Sequence, residues 1–444
     1  MPIGLPHPTP PLWISLMSVV IFIISYGFVI AEEYTHFRKS KPMLIAAGLL
    51  WILLGYAEKF LNWNGHVHEL YETNLLEYAN LFLFLFVSMV YVKTLEQLNV
   101  FEKLKSYLIQ KGMSYQQLFW TTGLIAFFLS PIADNLTTAL VMGAILIAVG
   151  KDNQKFIALG CINIVVAANA GGAFCPFGDI TTLMVWQQGV LGFSLFFKLF
   201  IPSLVNFLVP AYCMSFAIDR GLPSALEEDI QFKDGAKISI VLFLLTITTS
   251  VVCHHFLGLP PTFGMMVGLG YLQIFSYFLK LKSKHKPGSH QFDIFKIMES
   301  LEWDTLLFFY GVMLCVGALS ALGLLNEISH LLYDQLGSGL SLKHQATPAH
   351  IIVGLCSSIL DNIPVMAAVL KMNINLPEGQ WLLVTLTAGV GGSLLSVGSA
   401  AGVALMGQAP KSYTFFSHLR WSWAIALGYV LSILTHFWLN AGTF

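Results

Sequence analysis

Eight runs of about twenty apolar residues recur along this chain, near 11–31, 43–62, 77–95, 193–217, 236–256, 262–280, 303–322 and 421–440. A helix needs about 20 such residues to cross the hydrocarbon core of a bilayer. In lipid, a crossing segment must also satisfy its own backbone hydrogen bonds, which a helix does internally. Composition points the same way: with 56% hydrophobic and 11% charged residues among 444, there is too little polar surface to clothe a water-soluble globule. The chain therefore reads as an all-α integral membrane protein. Its N-terminus, "MPIGLPHPTPPLW", lacks the basic region of a secretory signal, so residues 11–31 are expected to be a retained span. Six cysteines lie in apolar surroundings without C-x-x-C spacing, as small buried hydrophobes do.

Other apolar segments are interrupted. Residues 348–360 and 363–373 are each too short to cross and are separated by "DN", which suggests a re-entrant hairpin; 114–150, with "DN" at 134–135, suggests another. Residues 156–190 and 379–409 have crossing length but are broken by "NAGGAFCPFGD" and "GVGGSLLSVGS", the pattern of discontinuous helices. The expected architecture is about ten transmembrane helices plus two re-entrant hairpins and two broken helices. Alternating the crossings from an inner 32–42 loop puts 19 of the 23 Lys and Arg inside and leaves Lys59, Lys198, Lys343 and Lys371 at the other side, with both termini outside. The lysine run at 279–290 would be the inner connection between halves.

The interruptions repeat. Glu77 aligns with Glu302 at an offset of 225; Ser130, Asp134 and Asn135 align with Ser357, Asp361 and Asn362 at 227; Gly171, Gly172 and Gly178 align with Gly391, Gly392 and Gly398 at 220. The segment at 77 runs inward and that at 302 outward, so the repeat is inverted in topology, an arrangement of secondary transporters whose sites lie near the bilayer midplane. The expected organisation is an N-terminal span and cytoplasmic link (1–42), a first repeat (43–217), connecting spans with a basic cytoplasmic loop (218–301), and second-repeat site elements with a C-terminal span (302–444).

Irregular backbone at membrane depth is tolerated only where it is buried in protein or lines a wet cavity. The polar residues cluster at those breaks: Ser130, Asp134, Asn135, Thr137 and Thr138 from the first hairpin; Asn169, Asp179, Thr181 and Thr182 from the first broken helix; Ser357, Asp361 and Asn362 from the second hairpin; Ser393, Ser396 and Ser399 from the second broken helix. Asp304 and Thr305 open a span. Carboxylate, hydroxyl and amide oxygens are hard ligands for a small hard cation. A buried carboxylate must be protonated or paired, and no Lys or Arg lies at these breaks. Protons and metal cations are left as partners. Crowding carboxylates away from water favours their protonated form, so acids that hold protons in the empty site and lose them to Na⁺ would couple the two ions by competition. Coupled carboxylates titrate as a set.

The same residues have plainer readings. An Asp-Asn pair commonly makes a turn or a helix cap, and Asp179 at a helix restart has the position of an N-cap. The competing transport reading is a Na⁺- or proton-coupled carboxylate or oxyanion carrier, but aspartates at both hairpin tips would repel an anion. No nucleophile with a nearby base appears, so an enzyme is not expected; nor are a cofactor or a nucleic-acid partner.

In this order, "SPIADNLTTALV", "NAGGAFCPFGDITTLMVWQ", "EWDTLLFFYG" and "DNIP" resemble the NhaD-type sodium/proton antiporters of the ion transporter superfamily, over roughly residues 40–440. The resemblance implies Na⁺(Li⁺)/H⁺ antiport in the bacterial inner membrane, in the service of pH homeostasis. It carries functional importance onto Ser130, Asp134, Asn135, Asn169, Asp179, Thr181, Thr182, Asp304, Thr305, Ser357, Asp361, Asn362, Ser396 and Ser399, with no departure at any of them. It further implies a homodimer in which a transport domain moves, elevator-like, against a scaffold.

Overall fold

The apolar runs become helices because, away from water, each backbone N–H must find its carbonyl within the segment. The computed structural model describes residues 10–35, 37–150, 153–222, 230–283, 292–341, 343–372 and 374–444. From the N-terminus come α1 (Leu12–Ile30), α2 (Ser40–Phe60), α3 (Val67–Gln97) and the short amphipathic α4 (Val100–Gln110). A hairpin of α5 (Tyr115–Ala133) and α6 (Asn135–Val149) follows, then a broken helix of α7 (Gln154–Gly172) and α8 (Ile180–Gln187), and α9 (Phe200–Ser215), whose span begins with a 3₁₀ segment (Phe193–Leu199).

The order then recurs. α10 (Ala236–Leu257), α11 (Pro261–Ser283) and α12 (Trp303–Ala321) precede a hairpin of α13 (Thr347–Leu360) and α14 (Asn362–Lys371). A broken helix of α15 (Glu378–Gly391) and α16 (Ala400–Gln408) follows, and α17 (Ser422–Leu439) ends the series. Nine helices among the described residues are long and apolar enough to cross a membrane; the α15–α16 pair supplies a tenth crossing in two pieces. Among the described residues there are no strands.

Packing follows the repeat. α1 lies on α2 as α10 lies on α11, and α5 on α7 as α13 on α15. The halves interlock at the breaks: α6 packs against α16, and α14 against α8. With each hairpin returning to the side it leaves, five crossings (α1, α2, α3, α7 and α9) precede α10, so the second half runs opposite to the first. α1 and α10 present Leu16, Val20, Ile23, Val241, Leu244 and Val252 outward, apolar faces that lipid would cover. α7 is enclosed on every side, down to Asn163 and Asn169.

One expected span differs. The apolar run at 77–95 sits inside α3, which begins ten residues earlier and has 31 residues, about 46 Å of helix. "VHELYETNLL" carries residues that suit a helix as well as an interface, so the helix outlasts the apolar band that marks its crossing. From residue 284 onward, the lysine run at 279–290 lies outside the described residues.

Candidate functional site

At each hairpin tip the chain reverses on one aspartate. Asp134 has φ 58 and ψ 164, and Asp361 has φ 59 and ψ 149. This positive-φ conformation is costly for a residue with a side chain, and the second half reproduces it to within 15° in ψ. Each aspartate then caps the helix it begins. Asp134 Oδ1 accepts from the Thr137 N–H at 2.8 Å and its Oδ2 from Thr137 Oγ1 at 3.0 Å; Asp361 Oδ1 accepts from the Asn362 N–H at 2.8 Å. Capping and ion binding are compatible here, because a carboxylate has more lone pairs than these donors fill.

The broken helices restart with a matching device. Asp179 (φ −145, ψ 145) caps α8 and Ser399 (φ −145, ψ 148) caps α16. Asp179 Oδ1 accepts from the Thr181 N–H at 3.2 Å, and Ser399 Oγ from the Gly402 N–H at 3.3 Å. Behind the tips, Ser130 Oγ donates to the Ala168 carbonyl at 2.6 Å and Ser357 Oγ to the Ala388 carbonyl at 2.7 Å, tying each hairpin to its own broken helix. The shared backbone makes Asp179 and Ser399 counterparts, so the third acid belongs to the first half alone.

Cross-links join the pieces. Asn362 Nδ2 donates to both oxygens of buried Asp179, at 2.8 and 3.1 Å, linking the second hairpin to the first broken helix. Asn135 Nδ2 donates to Asn169 Oδ1 at 3.2 Å. Thr182 Oγ1 is spent on the Asp179 and Cys175 carbonyls at 2.7 and 3.0 Å. Thr181 Oγ1 and Ser396 Oγ are buried oxygens with no protein partner among the described residues, as is the Asn169 amide nitrogen.

These elements enclose a cavity of about 100 Å³ whose polar lining includes Asp134, Asn135, Asp179, Thr305, Asp361 and Asn362. It adjoins a wider vestibule of about 600 Å³ on the side of the 32–42 loop. Asp134, Asp179, Asp361 and Glu302 all line the central cavity. Of the fourteen residues singled out in the sequence, six therefore face the central cavity. Ser130, Ser357, Asn169, Thr181, Thr182 and Ser396 stand behind them, buried. Asp304 and Ser399 line only the vestibule, where Ser40 Oγ donates to Asp304 Oδ1.

Three lining residues come from outside the segments that attracted attention. Glu302 lines both spaces, with Thr305 Oγ1 donating to it at 3.5 Å. It aligns with Glu77 across the repeat, but its place at the start of a span gives no sign of a cavity position. Lys39, immediately before α2, also lines both spaces. Tyr26, on α1, donates to the Leu360 carbonyl at the base of the second tip. Nothing in the local sequence of Lys39 or Tyr26 marks them, because only tertiary packing brings α1 and α2 to the hairpin.

Comparison with known proteins places the chain in a family. A family model described as CitMHS, Citrate transporter, matches residues 9–389. The Na(+)/H(+) antiporter NhaD of Alkalimonas amylolytica is 50% identical, across 97% of this chain and 92% of that protein. The Na(+)/H(+) antiporter NhaD of Vibrio cholerae is also 50% identical, across 97% and 93%. Sodium/proton antiporter 1 of Arabidopsis thaliana is 30% identical, across 90% of this chain and 68% of that protein. The chain thus belongs to the family described by the citrate-transporter model and, among the relatives it matches, to the NhaD sodium/proton antiporters.

Proposed function

We propose that this chain is a secondary transporter that exchanges Na⁺, and Li⁺, for H⁺. The observation that carries the proposal is one small cavity, at the meeting of two inverted hairpin tips and a broken helix, holding Asp134, Asp179 and Asp361 together. Three carboxylates confined this closely do not remain ionised and empty. They hold protons, or they hold a metal cation whose charge does the same work. Bound Na⁺ would take oxygens from the aspartates, with Asn135, Asn362 and Thr305 beside them and the free hydroxyls of Thr181 and Ser396 behind. Thr182, Asn169, Ser130 and Ser357 would position the breaks, while Asp304 and Ser399 would line the approach through the vestibule.

Coupling follows from competition. Arrival of Na⁺ displaces protons from the shared oxygens, and protonation on the other side releases Na⁺, so neither ion crosses without the other in the return direction. We further infer that the basic loops face the cytoplasm of a bacterial inner membrane and that both termini lie outside. On this reading the vestibule opens inward, and two chains form a homodimer whose hairpin elements move, elevator-like, against α2, α3, α11 and α12.

The matching family description names citrate, which keeps the carboxylate-carrier reading in view. Acids at both tips argue against it, since an anion would meet their charge at the centre of the site. The test uses everted vesicles from an antiporter-deficient host, with a dye reporting the acid-inside pH gradient. Na⁺ or Li⁺ should dissipate the gradient in wild type and fail to do so in Asp134→Asn and Asp361→Asn variants that insert normally. Full exchange by both variants would refute the site. Silence toward cations with uptake of citrate would replace the function.

A further inference from the structure

The cavity wall contains a positive charge. Lys39 lines both the central cavity and the vestibule, in the company of Glu302, Thr305 and Asp361. Its backbone N–H donates to Glu32 Oε1 at 3.4 Å, and its ammonium lies 4.5 Å from the centre of the Phe308 ring. A cation over an aromatic face is held without being neutralised. Lys93, also in the wall, already pairs with Glu96 at 2.9 Å, and Arg38 lines the vestibule alone. Lys39 is half-buried, has no carboxylate within ion-pairing distance among the described residues, and shares the lining of both spaces with Asp361.

We propose that Lys39 is a tethered cation that opposes Na⁺ at Asp361 and so sets the Na⁺ concentration needed to load the site from the vestibule; this rests on the exchange reading above. Four acids, Asp134, Asp179, Asp361 and Glu302, face the cavity, with Asp304 and Glu32 just outside it. Left uncompensated, they would bind a cation too firmly to release it at each turnover. A fixed ammonium at the junction of the two spaces weakens that hold without occupying a ligand position. Because one unit charge acts through a partly desolvated site, its removal should strengthen Na⁺ binding about tenfold.

Equilibrium binding of ²²Na⁺ to the purified full-length protein, at one fixed alkaline pH, tests this directly. Lys39→Gln and Lys39→Met should each lower half-saturating Na⁺ about tenfold, Lys39→Glu should lower it further, and Lys39→Arg should match wild type. A loss of packing would not follow charge in this way or be rescued by arginine. If wild type binds Na⁺ and the glutamine and methionine variants bind it equally or more weakly, the role of Lys39 is refuted while the exchange reading stands. If wild type binds no Na⁺, the exchange reading fails and takes this inference with it.

Discussion

Gly391 is a position where one methyl group should be costly. It ends α15, and a Cβ built there would stand 2.1 Å from the Gly354 carbonyl oxygen of α13. Ordinary carbon–oxygen contact needs about 3.3 Å, so the helices would have to part by roughly 1 Å, and neither side offers a flexible atom to yield. Overpacking of this kind costs about 1–3 kcal/mol, and a backbone-on-backbone clash belongs at the upper end. The repeat supplies an internal replicate: a Cβ on Gly171 would stand 2.2 Å from the Phe127 carbonyl oxygen, at the matching α7–α5 contact. Gly55 and Gly270, inside α2 and α11 with nothing within 4 Å, are controls; alanine there should be neutral or stabilising by up to about 1 kcal/mol. Purified Gly391→Ala and Gly171→Ala should lose folded protein on heating far faster than wild type, and should also lose exchange, because the displaced arms carry Asp361 and Asp134. If Gly391→Ala survives heating as well as Gly270→Ala, the close approach of α13 and α15 is wrong.

At the far side of the site Lys371, at the end of α14, pairs with Glu77 on α3, both largely shielded. Lys371→Ala or Glu77→Ala should each destabilise by about 1–3 kcal/mol, and the double variant by less than their sum, with a coupling near 1 kcal/mol in a double-mutant cycle; additive losses would deny the pair. Ser130→Ala and Ser357→Ala each remove one buried bond to a broken-helix carbonyl, worth about 1–2 kcal/mol, and should shorten thermal half-life to similar extents. If Na⁺ and H⁺ compete for the same oxygens as proposed, half-saturating Na⁺ should rise as pH falls, by up to about tenfold per pH unit for each proton displaced. A half-saturating Na⁺ flat across pH 7–9, measured in vesicles, would exclude a shared site.

Much of the fold was legible because the bilayer simplifies the code. α1, α2, α9, α10, α11, α12 and α17 follow their apolar runs within a few residues, since length and hydropathy alone decide a crossing. The breaks were legible for the complementary reason: an acid inside an apolar segment is expensive to bury, and one beside paired glycines marks backbone that has left the helix. α3 extends well beyond its apolar run, because helical geometry runs on where the apolar signal stops. Lys39, Tyr26 and Glu302 could not be placed, because each is unremarkable at its own span end and reaches the cavity only through packing between distant elements.

The repeat explains the shape of the site better than its chemistry. Tip torsions, serine braces, glycine contacts and the cap geometry at 179 and 399 all match between halves, which is what a duplicated backbone would retain. The side chains do not match: Asp179 stands where the second half has Ser399, and Asn362 reaches across to Asp179 while Asn135 bonds to Asn169 in its own half. A symmetric pair of aspartates would offer an ion two equivalent partners. The environments are unequal too, since Asp361 also lines the vestibule, with Lys39 and Glu302, whereas Asp134 lines only the central cavity. Asp134 and Asp361 are therefore alike in conformation and unlike in electrostatics. On the exchange reading, that inequality would let one carboxylate favour the proton while another favours Na⁺ within a single backbone design.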